Sequence, residues 1–160
     1  MSNSPEQDFV TFKAKIKTLS LSTLTATGRP NISYAPFIED ENGCFYLFLS
    51  QLASHTQELL NQPMASILLI EDEQDARQLF ARQRISYDCD VSIVQSDEAC
   101  YSDRLDKFEQ SFGSIIPLLR SLPDFILFKL TPTEGRYVQG FGKAYQLTGE
   151  HLTELEHVSA

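Results

Sequence analysis

The sequence predicts a single, mainly β domain: an antiparallel barrel with a few peripheral helices. Six or seven stretches have strand character, and most are joined by short turns. Helices fall in only a few of the breaks, a pattern that favours an antiparallel barrel over a βαβ sheet. The 160 residues suit one domain with a sizeable core. No internal repeat, low-complexity tract or Pro/Gly/Ser linker divides them, so residues 1–160 read as one unit.

Ser4-Pro5-Glu6-Gln7 opens a helix, with Ser4 as N-cap, Pro5 at the first position and Gln7 closing a capping box. Phe9, Phe12 and Ile16 follow at helical spacing. Residues 18–27, rich in Thr and Leu, read as a strand ending at Gly28-Arg29-Pro30. A second strand covers 31–38, and Glu39-Asp40-Glu41-Asn42-Gly43 makes a hairpin turn. Residues 44–49 are almost wholly apolar, which predicts a strand buried on both faces. A short helix at 53–61 stops before Pro63, and 65–70 forms another buried strand. The acidic 71–78 stretch has the composition of a helical turn. Residues 80–95 alternate well, placing Ile85, Tyr87, Cys89, Val91 and Ile93 on one face. Helices are predicted at 97–110 and 115–122, and the last strands at 125–130 and 136–147. The tail, 149–160, reads as a helical turn or a flexible or truncated end.

Composition bounds the function. A formal net charge of -9 disfavours nucleic acid, which needs a basic face, but leaves room for a small anion held by a local cluster of donors. No apolar run approaches the roughly 20 residues of a membrane helix, so no membrane insertion is predicted. The N-terminus has neither the basic start nor the apolar core of a signal peptide. Cys44, Cys89 and Cys100 are odd in number and far apart, which predicts reduced thiols and a cytoplasmic location.

Motifs for common cofactors are missing. There is no P-loop, no Gly-x-Gly-x-x-Gly, no Gly-x-Ser-x-Gly elbow and no His-Glu-x-x-His helix. Gly140-Phe141-Gly142 is predicted inside a strand, as a bulge or close packing point and not a phosphate cradle. Of the three histidines, His55 opens the Ser54-His55-Thr56-Gln57-Glu58-Leu59-Leu60 helix, while His151 and His157 lie in the polar tail. His55 reads either as a polar residue of a first turn or as a ligand or anion partner, since imidazole does both. Arg82 and Arg84, two apart on a predicted strand, would share a face and suit a phosphate or carboxylate. The acidic Glu71-Asp72-Glu73 run is the competing partner for them. Asp124, between apolar neighbours at a helix-to-strand junction, is either a turn acceptor or a carboxylate with a raised pKa that orients or feeds a proton.

Several stretches carry a resemblance. They are Ser33-Tyr34-Ala35-Pro36-Phe37 after a Gly-Arg-Pro turn, then Phe48-Leu49-Ser50-Gln51-Leu52-Ala53-Ser54-His55-Thr56, then Ala65-Ser66-Ile67-Leu68-Leu69-Ile70. Phe80-Ala81-Arg82-Gln83-Arg84, Leu122-Pro123-Asp124-Phe125 and Gly135-Arg136-Tyr137-Val138-Gln139-Gly140-Phe141-Gly142-Lys143-Ala144 complete them. In this order and spacing the chain, from about residue 10 to residue 147, resembles the HugZ/HutZ heme-utilisation branch of the pyridoxamine-phosphate-oxidase-like proteins. The resemblance implies a split β-barrel, an obligate homodimer with ligand sites at the subunit interface, heme binding, and oxygen-dependent heme breakdown releasing iron. By motif, His55 corresponds to an interface histidine near the heme and Arg84 to the second arginine of a basic strand close to the ligand. Asp124 corresponds to the acid that hydrogen-bonds the partner chain's axial histidine. The family's axial histidine lies on a Gly- and His-rich tail. This sequence ends Glu156-His157-Val158-Ser159-Ala160 without one, which leaves His157 as the in-chain candidate, a longer tail, or a different ligation. The parent superfamily offers FMN as the alternative cofactor. Its flavin branch has an Arg-Lys pair where this chain has His55-Thr56, which disfavours tight flavin binding. A non-enzymatic heme carrier or storage dimer is the third reading.

Overall fold

A computed structural model describes residues 3–159. Helix α1 (Pro5–Lys15) has the predicted capping box, with Gln7 N–H donating to Ser4 Oγ and Ser4 N–H to the Gln7 side chain. Antiparallel strands β1 (Thr18–Leu24) and β2 (Pro30–Pro36) follow, then a two-residue β3 (Ile38–Glu39) and β4 (Phe45–Ser50). Helix α2 (Ser54–Asn61) leads to β5 (Met64–Ile70), two 3-10 turns, and β6 (Arg84–Val94). Helices α3 (Tyr101–Phe112) and α4 (Ile115–Ser121) precede β7 (Phe125–Gly140), β8 (Lys143–Thr148) and β9 (Glu154–His157).

All the strands join one antiparallel sheet, with main path β2-β1-β5-β6-β7-β4-β3 and β8 and β9 branching from β7. Strand β7 makes the fork. One side pairs with β6 along most of its 16 residues. The other side pairs first with β4, through Phe125–Leu130, and then with β8, from Gly135 onward. The inner face carries Leu19, Leu21, Phe45, Leu47, Ile67, Leu69, Ile85 and Tyr137, all buried. Helix α1 closes this core by setting Phe9 edge-on to Tyr137, with ring centroids 5.2 Å apart. Burying Phe9 and Phe12 contributes roughly 1.5–3 kcal/mol each. A smaller core lies under α3 and α4, around Tyr46, Leu105, Phe108 and Leu127.

Several elements depart from the sequence reading. Strand β5 is not buried on both faces: Met64 and Ser66 point outward and Ala65, Ile67 and Leu69 inward. The two last predicted strands are one continuous β7 followed by β8. Pro132 is accommodated where the register with β6 shifts. Gly135 is required because a Cβ there would lie 2.7 Å from Leu147 Cδ1 and 2.9 Å from Tyr87 Cδ1. Gly140 ends β7 at an irregularity in the β7–β8 register, as a bulge reading expects, but Gly140-Phe141-Gly142 is not the interior of one strand. Phe141-Gly142 is the turn between β7 and β8, with Gly142 at φ 69°. The tail is neither a helical turn nor a free end through His157, because β9 pairs with β8 from Tyr145↔His157 to Thr148↔Glu154. Ala160 lies outside the described residues.

One buried polar knot was unannounced by the sequence. Asp40, placed by the sequence in a hairpin turn, is only 9% exposed. Its Oδ1 accepts from Asn42 and Cys44 N–H, and its Oδ2 accepts from the Tyr46 hydroxyl at 2.9 Å. Arg104 of α3 lies 3.8 Å from Oδ2 and over the Tyr46 ring, clipping α3 to the sheet. Burial pushes the Asp40 carboxyl up, but the bonds from Cys44, Tyr46 and Asn42 and the Arg104 charge outweigh it, so its pKa lies below the ordinary value.

Candidate functional site

Arg84 opens β6 on the face opposite to the buried Ile85, Tyr87 and Cys89. Directly paired residues share a face. Arg84 therefore stands in an outer row between Ile70 of β5 and Val138 of β7, with Ala144 of β8 next beyond. Such a row offers an apolar strip interrupted by one fixed cation. The neighbouring outer row runs Tyr34, Ser20, Leu68, Ser86, Arg136. On this outer face, among serines and charged residues, Ile32 is 75% exposed, Tyr34 61% and Met64 51%.

The expected Arg82–Arg84 pair on one strand face does not form. Leu79–Ala81 is a 3-10 turn and β6 begins only at Arg84, so the period of two does not reach Arg82. Arg82 is turned back on the preceding segment: its Nε donates to Glu71 O at 2.6 Å and its Nη1 lies 3.7 Å from Glu73 Oε1. Arg84 Nη1 donates to Arg82 O at 2.9 Å. The acidic run thus takes Arg82 and leaves Arg84 without a carboxylate among the described residues.

His55 and Asp124 are linked through Ser50, which bonds Asp124 and, by its carbonyl, the Thr56 next to His55. Helix α2 has no side-chain cap. Its first turn is held instead by Thr56 Oγ1, which donates to Ser50 O at 2.6 Å. His55 Nδ1 shares a hydrogen bond with Ser33 Oγ of β2 at 2.8 Å. Glu58, three residues on, accepts from Thr23 Oγ1 and Asn31 Nδ2, so α2 is stitched to β1 and β2 by polar contacts. Burial lowers the His55 pKa from its ordinary 6.5, against the opposing pull of Glu58, which favours neutral imidazole at pH 7. Asp124 is half-buried and accepts from Ser50 Oγ on Oδ2 at 2.7 Å, while its carbonyl accepts from Gln51 N–H at 2.8 Å. Ser33, Ser50 and Glu58 are the contributors that sequence reasoning did not assign. Ser33 and Ser50 fall in the stretches that carry the resemblance, but only strand pairing shows what they touch.

His157 ends β9 near the Arg84 end of the sheet. Its Nε2 lies 2.7 Å from Gly142 O, and its ring stands edge-on to Tyr145 at 5.5 Å. A carbonyl only accepts, so Nε2 is the donor and Nδ1 points away from this bond. Among the described residues no group of three or more His, Cys, Asp or Glu side chains could hold a metal ion. A cleft of about 600 Å³ opens between α1, the segment before β6 and the β7–β8 turn, with Phe12, Gln83, Phe141 and Lys143 in its walls. None of His55, Arg82, Arg84, Asp124 or His157 lines it. The candidates therefore do not form one cluster: His55 and Asp124 connect through Ser50 and Thr56 at one end of β7, while Arg84 lies at the other end, on the opposite face of the sheet from the row Ile85, Tyr137, Tyr145 that His157 extends. From Phe125 to Val138, which faces Arg84, is thirteen steps, roughly 40 Å along the strand at about 3.3 Å per residue.

Comparison with known proteins completes the description. The profile of the pyridoxamine 5'-phosphate oxidase family matches residues 5–139. Heme oxygenase HutZ of Vibrio cholerae is 42% identical over 153 residues, covering 96% of this chain and 86% of that protein. The crystal structure of HutZ, described as the heme storage protein from Vibrio cholerae, superposes with TM-score 0.80 at 38% identity over 84% of this chain and 95% of that one. Campylobacter jejuni ChuZ gives TM-score 0.84 at 31% identity, covering 99% of this chain and 64% of ChuZ.

Proposed function

Since the chain belongs to the pyridoxamine 5'-phosphate oxidase family, we propose that it serves heme-iron utilisation, binding heme between two copies of itself and breaking it down with oxygen to release iron. The observation that carries this reading is the 42% identity, over 96% of the chain, to a protein named as a heme oxygenase. Heme is then substrate, and the chain's own residues bind and orient it.

The geometry supports a shared site. The outer face that holds Arg84 carries exposed Ile32, Tyr34 and Met64 among polar residues such as Ser20, Ser86 and Arg136, and two-fold pairing is the common way to cover such a face. In the proposed dimer the Arg84 end of one chain meets the His55/Asp124 end of the other. The residues fit the substrate. Ile70 and Val138 flank Arg84 with the apolar surface a porphyrin needs, and the guanidinium, held by Arg82 O through Nη1 but paired with no carboxylate among the described residues, has other N–H groups to meet a propionate or bound oxygen. Asp124 has Oδ1 without a protein partner, able to accept from an imidazole N–H and so hold an iron-ligating ring in one tautomer. His55 is held neutral by burial and has Nε2 without a partner, facing the same end. Arg82 anchors the Glu71–Glu73 segment beside Arg84 and reaches the substrate only through Arg84's position. His157 is the in-chain candidate for the iron, through Nδ1.

Two alternatives meet the same observations differently. A flavin phosphate needs clustered cations, yet the first turn of α2 has none, and Thr56 is 0% exposed with its hydroxyl spent on Ser50. A carrier or storage dimer would use the same surface without turnover. We further propose a cytoplasmic location and one functional domain; Cys44, Cys89 and Cys100 are all free thiols, which supports the reading, and no described helix is long and apolar enough to cross a membrane. Hemin supplied with ascorbate and oxygen separates the readings. Bleaching of the Soret band with iron release is expected, and a stable heme complex that persists under these conditions overturns turnover in favour of storage.

A further inference from the structure

We propose that Ser50 is the positioning residue that aims Asp124 at the substrate and couples it to the His55 helix, an assignment that rests on the heme reading above. Ser50 is the last residue of β4 and pairs with Phe125, the residue after Asp124. Its hydroxyl has one proton, and that proton goes to Asp124 Oδ2 at 2.7 Å. The same oxygen accepts from Leu52 N–H at 3.1 Å, which fixes the hydroxyl's direction. The Ser50 carbonyl accepts from Thr56 Oγ1 at 2.6 Å and from Ala53 N–H at 3.2 Å, and Thr56 is the residue next to His55.

Two bonds therefore restrain Asp124, one through its carboxylate and one through the Gln51 N–H to its carbonyl. A carboxylate has two oxygens. Engaging Oδ2 presents Oδ1 in one orientation, and Oδ1 is not among the buried polar atoms left unpartnered, so it is open to a ligand. An aspartate in a turn would otherwise rotate freely about its side-chain bonds. The hydroxyl supplies only the Asp124 link. Substituting it leaves the carbonyl that holds α2 in place, so the Asp124 role can be separated from the helix anchor.

The test uses the full chain as the hemin complex, with ascorbate and oxygen, comparing wild type, Ser50→Ala, Ser50→Thr, Asp124→Asn and the Ser50→Ala/Asp124→Asn double variant. Removing a supporting partner of a substrate-orienting group lowers activity by about tenfold or more. The expected result is that fall in kcat for Ser50→Ala, with KM for hemin changed about twofold at most, and recovery in Ser50→Thr, which keeps the donor. Ser50→Ala should add nothing to Asp124→Asn, since both act through one carboxylate. Should Ser50→Ala fail to fold, Ser50→Cys, of similar size with a weaker donor, carries the same comparison. Wild-type kcat in Ser50→Ala, or a double variant whose losses multiply, overturns the assignment alone. A wild type that shows no Soret band overturns the heme reading and this assignment with it.

Discussion

If one site draws Arg84 from one chain and Asp124 from the other, two inactive variants must rescue each other when mixed. Arg84→Ala removes a charge-assisted contact worth about 1.5–3 kcal/mol, which weakens or slows each site by about tenfold to a hundredfold. Asp124→Asn removes the acceptor that orients an imidazole and should fall by a similar factor. The separation of these residues along β7, thirteen steps from Phe125 to Val138, makes the rescue specific. In a heterodimer of the two variants one site carries both lesions and the other carries neither. Equal, random subunit exchange gives about half heterodimers, each with one intact site of two, hence about a quarter of wild-type turnover per chain. The assay mixes the purified variants under conditions of subunit exchange and follows loss of the Soret band with ascorbate and oxygen. Activity that stays at the level of the separate variants would refute the reasoning, because a site built within one chain has no intact copy in any mixed dimer.

Three further outcomes follow from the fold. Gly135→Ala should cost about 1–3 kcal/mol in urea unfolding, since its new Cβ would meet Leu147 and Tyr87, both buried; wild-type stability would contradict the close packing of β6, β7 and β8. His55 has a folded pKa depressed by burial, so its contribution to stability is present above pH 6.5 and lost as pH falls through the depressed value. His55→Gln should flatten that acid limb of Tm against pH. Burial, and for Tyr46 the bond to Asp40, pushes Tyr46 up to about 12, and burial pushes Tyr137 up to about 12 and Tyr87 upward too. Their stabilising contribution is present below pH 10 and lost as pH rises through 10 toward these values. Absorbance at 295 nm should show three of the six tyrosines ionising late or only on unfolding.

Much of this was legible in the sequence because local rules suffice for it. The α1 capping box, the doubly buried β4 and the alternation of β6 from Ile85 to Val91 appear as read, but Ile93 is 39% exposed and Val94 is buried in its place. What was illegible depends on neighbours in space. Thr131-Pro132-Thr133-Glu134-Gly135 looks like a break between strands, because proline removes a donor and glycine a side chain. In the fold the proline falls at a register shift and the glycine's missing Cβ is the room Tyr87 and Leu147 fill. Strand β9, Glu154–His157, has too little apolar alternation to announce itself and exists through pairing with β8. Local sequence singled out His55, Arg82, Arg84 and Asp124 as candidates, and their particular roles came from resemblance. No period reveals that Ser50 joins Asp124 to α2, or that Arg82 turns to Glu71 while the Arg84 side chain bonds only the Arg82 carbonyl.

The central claim is that this chain binds heme, and hemin titration of the purified protein tests it most directly. The account predicts a sharp Soret band saturating at about one hemin per chain, as two equivalent sites in a two-fold dimer require, and weakened by Arg84→Ala. No band at stoichiometric hemin, or a protein that purifies yellow and releases flavin on heating, would contradict it.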